Sequence, residues 1–265
     1  EPYALVICHY IIGGHAMLVG RIDEARHHFR LSVEAAGPTD PDVRPEHFPM
    51  VLTPVIGSFA CAVGGDIEGA RTEAYRRAHT WVVERAEVDA TTQMALIWTR
   101  AMVEALLDEP ERAREHLTGV DFGGAGGFFD EQEAALHILW GWSSAEIDGD
   151  VEAVAAAREA ADQLRHATER VLRPCLMTFQ ARAELAIGSD ECLRFVALAR
   201  DEAERSGEVW WLAETLHVQA RAEQRFGDRT AVAGLLDQAL DLAREQGAHG
   251  IAERIEATMA AVSSA

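Results

Sequence analysis

The stretch Gly20-Arg21-Ile22-Asp23-Glu24-Ala25 is the first copy of a phrase that returns along the chain. The common form of this phrase is Gly-Asp-x-x-x-Ala or Gly-Asp-x-x-x-Val. Close copies occupy residues 65–70, 149–154 and 227–232, and weaker copies occupy 108–113 and 188–193, at a spacing of about forty residues. A long fixed period is typical of stacked repeat proteins and outranks any local motif in deciding the fold. The sequence therefore predicts a stack of similar structural units.

Each copy of the phrase has the features of a tight turn between two helices. The flanking segments have helical periodicity, and Gly20 is suited to the positive φ that ends a helix. Asp23 and Glu24 bring negative charge to the first turn of the next helix, where the helix dipole favours it. We therefore predict an antiparallel helix pair over 3–19 and 22–36. The same hairpin is expected at turns near residues 20, 65, 108, 149, 188 and 227.

The predicted fold class is all-α, a right-handed superhelix of about six antiparallel helical hairpins. A helix over 249–262 is expected to cap the open end of the stack. The Pro-rich segment 37–49 and the Gly-rich segment 119–130 are predicted loops between hairpins. We expect residues 1–265 to form a single repeat domain, cut from a larger multidomain protein. The alternative is a generic helical bundle.

The composition restricts the classes of function. The formal charge is −20, with 44 acidic and 24 basic residues, which argues against nucleic acid as the main partner. All the basic residues are arginine, so the chain has no lysine for a phosphate-binding loop or a Schiff base. No apolar run is long enough for a membrane helix. The four cysteines are far apart, which favours packing roles and a reducing, cytoplasmic location.

The small–large–small pattern of the second helices resembles the tetratricopeptide repeat. A more specific resemblance lies in residues 207–216 and 240–248, which look like the C-terminal repeat of large bacterial ATP-binding regulators. These include LuxR-type regulators and regulators linked to nucleotide cyclases. That family has a Glu near Glu214, an Ala-Arg-x-Gln-Gly-Ala phrase matched at 243–248, and a following Arg matched by Arg254. The resemblance implies that effector and ATPase domains lie outside this segment, which would regulate them.

No pattern of catalytic or metal-binding residues stands out in the sequence. The Gly-rich run 123–127 lacks the Gly-Lys-Ser/Thr ending of a phosphate loop, and two phenylalanines follow it. The histidines lack the i,i+3 or i,i+4 spacing of a helical metal site, and no nucleophile motif is present. We therefore predict a non-catalytic segment without a metal or a cofactor.

The first helices of the hairpins are expected to line a concave groove, which is the candidate binding surface. In the N-terminal half its predicted contacts are apolar, and in the C-terminal half they are polar. The apolar candidates are Tyr10, Phe59, Trp98 and Met102, and the polar candidates are Arg182, Glu214, His217 and Arg221. The alternative is that Phe59 and Trp98 belong to the core. Of the adjacent tryptophans 210 and 211, at least one is expected near the surface.

The function predicted from these features is that of a sensor or protein-interaction domain in a bacterial signalling or transcriptional regulator. Its partner would be a protein, a peptide or a neighbouring domain of the same protein, bound in the groove. A small-molecule inducer is an alternative ligand. A structural self-assembly module that forms homo-oligomers is the alternative function.

Overall fold

The fold is known from a computed structural model, which describes residues 2–36, 48–77, 90–120, 130–165 and 171–263. These ranges contain thirteen α-helices and no strand, so the all-α prediction is confirmed for them. The helices are α1 (Pro2–Leu18), α2 (Ile22–Ala36), α3 (Phe48–Val63), α4 (Ile67–Arg71), α5 (Ala90–Leu106), α6 (Pro110–Leu117), α7 (Asp130–Asp148), α8 (Val151–Leu164), α9 (Arg173–Ala186), α10 (Glu191–Ser206), α11 (Leu212–Phe226), α12 (Val232–Gln246) and α13 (His249–Ser263). A π-helical segment, Thr72–Arg77, continues α4, and a short 3₁₀ turn, Arg229–Ala231, precedes α12.

The helices pack in consecutive pairs, and the repeated phrase forms the turn within each pair. At five of the six predicted turns the backbone is left-handed. The residues and φ values are Gly20 (78°), Gly65 (81°), Asp108 (64°), Gly149 (66°) and Gly188 (79°). Gly227 differs, with a φ of −127°, because the sixth hairpin turns through the 3₁₀ segment instead.

The aspartates of the phrase begin helices, as their position predicts. The Asp66 carboxylate accepts a hydrogen bond from the Gly69 N–H at 2.9 Å. The Asp150 carboxylate accepts from the N–H groups of Glu152 and Ala153, both at 3.0 Å. These bonds satisfy backbone donors that have no partner within the helix.

Arginines join each of the first four hairpins to the next one along the chain, which the sequence pattern did not reveal. The guanidinium of Arg71 on α4 donates to both oxygens of the buried Glu104 carboxylate on α5, at 3.0 and 2.7 Å. Three further pairs connect hairpins in the same direction: Arg26 with Asp66, Arg114 with Asp148, and Arg158 with Glu184. In each pair the arginine lies on a second helix, and the carboxylate lies at the following turn or first helix.

The array curls back so that its last elements touch its first turns. The Val209 N–H donates to the Leu18 carbonyl at 2.8 Å, and the Gln246 side-chain amide donates to the Val209 carbonyl at 2.8 Å. Helix α13 packs on α12, as a cap would, but it also contacts α3 near Gly65. The C-terminal end of the described array is therefore covered by its own N-terminal hairpins. One continuous buried core runs from Ala16 to Ile255.

Several local predictions have different outcomes. Helix α3 begins at Phe48, so residues 48 and 49 of the predicted loop are helical; residues 37–47 and 121–129 lie outside the described chain. Cys175 and Cys192 are buried, whereas Cys8 is exposed, so a packing role does not hold for all four cysteines.

Among the described residues, no helix is long and apolar enough to cross a membrane.

Candidate functional site

Helix α9 lies in the middle of the array and is buried along its length. Residues 173–185 are all buried, although several have charged or amide side chains. Arg173 donates to Glu202 on α10 at 3.0 Å, and Arg158 on α8 donates to both oxygens of Glu184 at 2.7 and 2.8 Å. Because buried charges are tolerated only when they are paired, these contacts hold α9 in one position between its neighbours.

The guanidinium of Arg182 on α9 joins three other parts of the fold. Its Nη2 donates to Asp108 in the turn of the third hairpin, and to Oε1 of Glu146 on α7 at 3.5 Å. Its Nη1 lies 3.8 Å from Oε1 of Glu214 on α11. The guanidinium carbon also lies 4.9 Å from the centre of the Trp142 ring, within range of a cation–π interaction.

Glu214 continues these contacts toward α13. Its Oε2 accepts a hydrogen bond from Arg254 Nη2 at 3.2 Å and lies 3.5 Å from His217 Nδ1. The other ring nitrogen of His217 lies 2.8 Å from the hydroxyl oxygen of Thr258. We call this connected set the interior polar network. Its members are Asp108, Glu146, Arg182, Glu214, His217, Arg254 and Thr258.

The two central members of the network remain charged. Burial raises the pKa of Glu214, but the charges of Arg254, His217 and Arg182 outweigh it and hold that pKa well below its ordinary value. Burial lowers the pKa of Arg182, but the carboxylates of Asp108, Glu214 and Glu146 outweigh it, so that pKa is raised. The centre of the network is therefore held together by charge, and the neutral Thr258 hydroxyl joins it at His217.

The network reaches the surface at a cavity of about 420 Å³ between the ends of three helices. Thr258, the last member of the network, is part of the cavity wall, and Arg221 lies one helical turn after His217. We call this the Arg221 cavity. Its lining is Leu185 and Ala186 from α9, Arg221, Gln224 and Arg225 from α11, and Thr258, Ala261 and Val262 from α13. Its volume is within the usual range for small-molecule sites.

The polar groove residues predicted from the sequence are brought together, but in a different setting. Arg182, Glu214 and His217 belong to one network, and they are buried rather than lining an open groove. They face inward because the turn of the third hairpin and helix α13 cover them. Of the four, Arg221 lines the Arg221 cavity. In the sequence, Arg254 stood out only as a match to the arginine of the resembling family, and nothing in the local pattern pointed to Asp108 or Thr258 as members of this network.

Two of the four apolar groove candidates form core instead of a binding surface. Phe59 and Met102 are fully buried, which corrects their assignment to an exposed groove. Trp98 is partly buried, with its ring edge-on to Phe59 at 5.5 Å between centroids. Tyr10 is also partly buried and lies 6.5 Å from Phe29. These side chains face inward because consecutive hairpins pack over them. The alternative interpretation, that Phe59 belongs to the core, is therefore the correct one for this residue.

The adjacent tryptophans are both buried, so the expectation that one lies near the surface is wrong. They precede α11 in a turn, where neighbouring side chains need not point in opposite directions. The Trp210 indole donates to Glu208 at 2.8 Å, and the Trp211 ring stacks on Phe179 at 5.8 Å.

Helix α1 has an exposed apolar stripe, which is a second candidate surface. Leu5 is 54% exposed, Ile11 60% and Ile12 41%, and Cys8 lies between them on the same face. The helix contains no aspartate, glutamate or arginine. An exposed apolar stripe of this kind is a candidate interaction surface.

Within the described parts of the chain, no group of three or more His, Cys, Asp or Glu side chains could hold a metal ion. A scan against protein-family models and searches of curated proteins and of solved structures found no significant match. The interior polar network and the two candidate surfaces are therefore the features of the chain that bear on its function.

Proposed function

We propose that this chain is a non-catalytic sensor or interaction domain of a bacterial signalling or transcriptional regulator. In this proposal it forms a right-handed, tetratricopeptide-like superhelix, and α13 is its capping helix. The left-handed turns at the repeat period and the arginine–carboxylate pairs between successive hairpins support the repeat architecture. The repeat also favours partner binding over catalysis, because stacked repeats generally present surfaces.

The observation that carries the sensor proposal is the connection between the Arg221 cavity and the interior polar network. Thr258 belongs to both, since it lines the cavity and contacts His217. From His217 the contacts continue through Glu214 and Arg182 to Asp108, at the turn of the third hairpin. A ligand that moves α13 relative to α11 would therefore change the packing of a distant hairpin. A ligand shifts such an equilibrium only as far as its affinities for the two arrangements differ.

Hydrogen exchange tests this coupling. The Thr258→Val variant removes the hydroxyl that meets His217 and keeps the size of the side chain. We expect faster amide exchange in α13 and also in residues 105–113, which Thr258 does not touch. The matched control is Thr230→Val, which changes an exposed hydroxyl at the turn of the sixth hairpin. If the effect of Thr258→Val stays within α13, the coupling proposal is wrong.

The stripe on α1 favours a second candidate function, self-assembly through this helix. Aligning Gly20 with Gly65 pairs Ile12 with Gly57 of α3. A Cβ added at Gly57 would lie 3.2 Å from Phe29 of α2, so the equivalent face of α3 is covered by the preceding hairpin. A second copy of the chain is the occupant that fits α1, because two uncharged helices can meet without the repulsion expected elsewhere on a protein of charge −20.

Light scattering separates the two candidates. Self-assembly predicts a dimer for the unmodified chain and a monomer for the Ile11→Glu variant, which places charge in the apolar stripe. Val151→Glu is the control, since it makes the same type of change at an exposed position on α8. A monomeric unmodified chain would exclude self-assembly and leave the sensor proposal standing.

A further inference from the structure

Arg221 differs from every other arginine whose side chain the structure describes. Each of the others has a hydrogen bond, an ion pair, a ring contact or an electrostatic interaction with the protein, whereas Arg221 forms no hydrogen bond or ion pair in the described chain. Its side chain is half-buried in the wall of the Arg221 cavity. A guanidinium that loses water without gaining a partner is costly, so an acceptor from outside the chain would complete this site.

The lining of the cavity selects for negative charge. It contains two arginines and no carboxylate, although the chain has 44 acidic residues. A larger cavity of about 670 Å³ between α10, α11 and α12 has the opposite character, since Glu204, Asp241 and Glu245 line it beside one arginine. The Arg221 cavity is therefore electrostatically suited to an anion on a protein that otherwise repels anions.

The second arginine of the lining, Arg225, already has partners in the protein and so does not compete with Arg221 for the ligand. Nη1 of Arg225 donates to the Leu185 carbonyl at 2.8 Å, near the end of α9. Its guanidinium carbon lies 5.1 Å from the centre of the Phe226 ring, which further fixes its position. Helix ends of this type carry partial negative charge, and Arg225 neutralises it beside the cavity. Arg221 is thus left with its donors unused.

The remaining walls indicate what the anion must carry. Leu185, Ala186, Ala261 and Val262 provide an aliphatic surface, and Gln224 and Thr258 add two neutral polar groups. One free guanidinium matches one carboxylate, which it binds through two parallel hydrogen bonds. A phosphate group carries nearly twice the negative charge of a carboxylate, which a single unpaired guanidinium balances less well.

We propose that the Arg221 cavity binds a carboxylate attached to a short aliphatic body, with Arg221 as its bidentate partner. This inference rests on the proposed sensor function and names the class of its ligand. The same chemistry occurs in a free aliphatic acid and at the C-terminus of a peptide that ends in an aliphatic residue. The ligand would contact Thr258 and so reach the interior polar network directly.

Titration calorimetry on the 265-residue chain tests the proposal. The probes are hexanoate, its uncharged analogue hexanamide, and N-acetyl-alanyl-leucine with a free or an amidated C-terminus. We expect at least one free carboxylate to bind and both amides to fail. The more tightly bound carboxylate identifies the source. If neither carboxylate binds, or if the amides bind equally well, the proposal is overturned.

Two variants assign the binding to Arg221. Arg221→Gln should weaken binding about tenfold or more, which corresponds to about 1.4 kcal/mol. Arg30→Gln, which removes the same charge from an exposed pair with Glu34 on α2, should leave the affinity unchanged. Equal weakening by both variants would mean a general charge effect and would overturn the site.

The outcome for this site is separable from the outcome for the sensor proposal. Carboxylate binding without any change of hydrogen exchange in residues 105–113 would support the ligand class and refute the coupling. The converse result, coupling in the Thr258→Val variant without carboxylate binding, would leave the sensor proposal intact and remove this ligand class.

Discussion

The interiors of the N-terminal and C-terminal halves occupy the same place in the repeat but are built from different chemistry. Around α3 and α5 most of the inward side chains are apolar, apart from Glu104, which pairs with Arg71, and Phe59 and Met102 are fully buried. Around α9 and α11 they are ionic, and Arg182 and Glu214 are almost as deeply buried. Apolar packing is not directional, whereas each ion pair depends on a particular partner. The first half is therefore suited to a core, and the second half is suited to transmitting a change between helices.

The largest effect is expected from breaking the ionic interior. Arg182→Met keeps the length of the side chain but leaves Asp108, Glu146 and Glu214 without their shared cation. Removing one partner of a buried pair leaves an uncompensated charge, so we expect a loss of about 4 kcal/mol in the free energy of unfolding. Urea denaturation followed by circular dichroism measures this loss.

The apolar interior supplies the control for that experiment. Met102→Ala should cost about 3 kcal/mol through its cavity alone. Its effect should add to that of Glu214→Gln, because the two sites have no common partner. Arg182→Met and Glu214→Gln should be strongly non-additive, since they belong to one network. Additive effects in both pairs would mean that the two interiors do not differ as described.

A smaller effect concerns two buried glutamates of the C-terminal half whose pKa values are shifted in opposite directions. Burial raises the pKa of Glu208 to about 7, against opposing hydrogen bonds from the Trp210 indole and the Leu172 N–H. Glu214, with arginines around it, has a lowered pKa. The folded chain binds the Glu208 proton more tightly than the unfolded chain does. The protonated side chain therefore makes its full contribution to the free energy of unfolding below the unfolded pKa of Glu208, and this contribution is lost as the pH rises through about 7.

The free energy of unfolding of the unmodified chain should therefore fall between about pH 5 and pH 8, by an amount on the order of 3 kcal/mol. We expect this fall to be absent in the Glu208→Gln variant. Denaturation curves over this range measure it. Glu253→Gln, which changes an exposed carboxylate on α13, should keep the slope of the unmodified chain. An unchanged slope in Glu208→Gln would assign the pH dependence to other groups.

The smallest effect tests a turn that belongs to neither interior. Asp150→Ala removes the cap that accepts two backbone N–H groups at the start of α8. We expect a loss of about 1 kcal/mol, measured by thermal unfolding. Asp190→Ala is the comparison, because Asp190 precedes α10 without a side-chain cap bond and should cost less. Equal losses would show that the cap bonds are not the source of the effect.

The sequence predicted the helical pairs and their turns well, because these depend on neighbouring residues. Helix α2 has the predicted bounds, and Gly20 and Gly65 adopt the expected left-handed backbone. It predicted the candidate site less well. Three of the predicted residues, Arg182, Glu214 and His217, do contact one another in the structure. Their spacing in the sequence did not indicate that they would be buried or which partners they would have. Phe59 and Met102 followed the same pattern and belong to the core.

The sequence by itself determined the all-helical fold, the turn positions and the acidic, lysine-free composition. Those properties come from local backbone preferences and from side-chain charge. Only the tertiary structure decided that the array curls back, so that α13 meets α3 and the inner face becomes buried. It also decided that Arg221 has no hydrogen-bond or ion-pair partner among the described residues, while Arg182, on the neighbouring helix, has three partners. Contacts between residues as distant as Asp108 and Arg182 depend on how successive hairpins stack, and no short window of sequence contains that information.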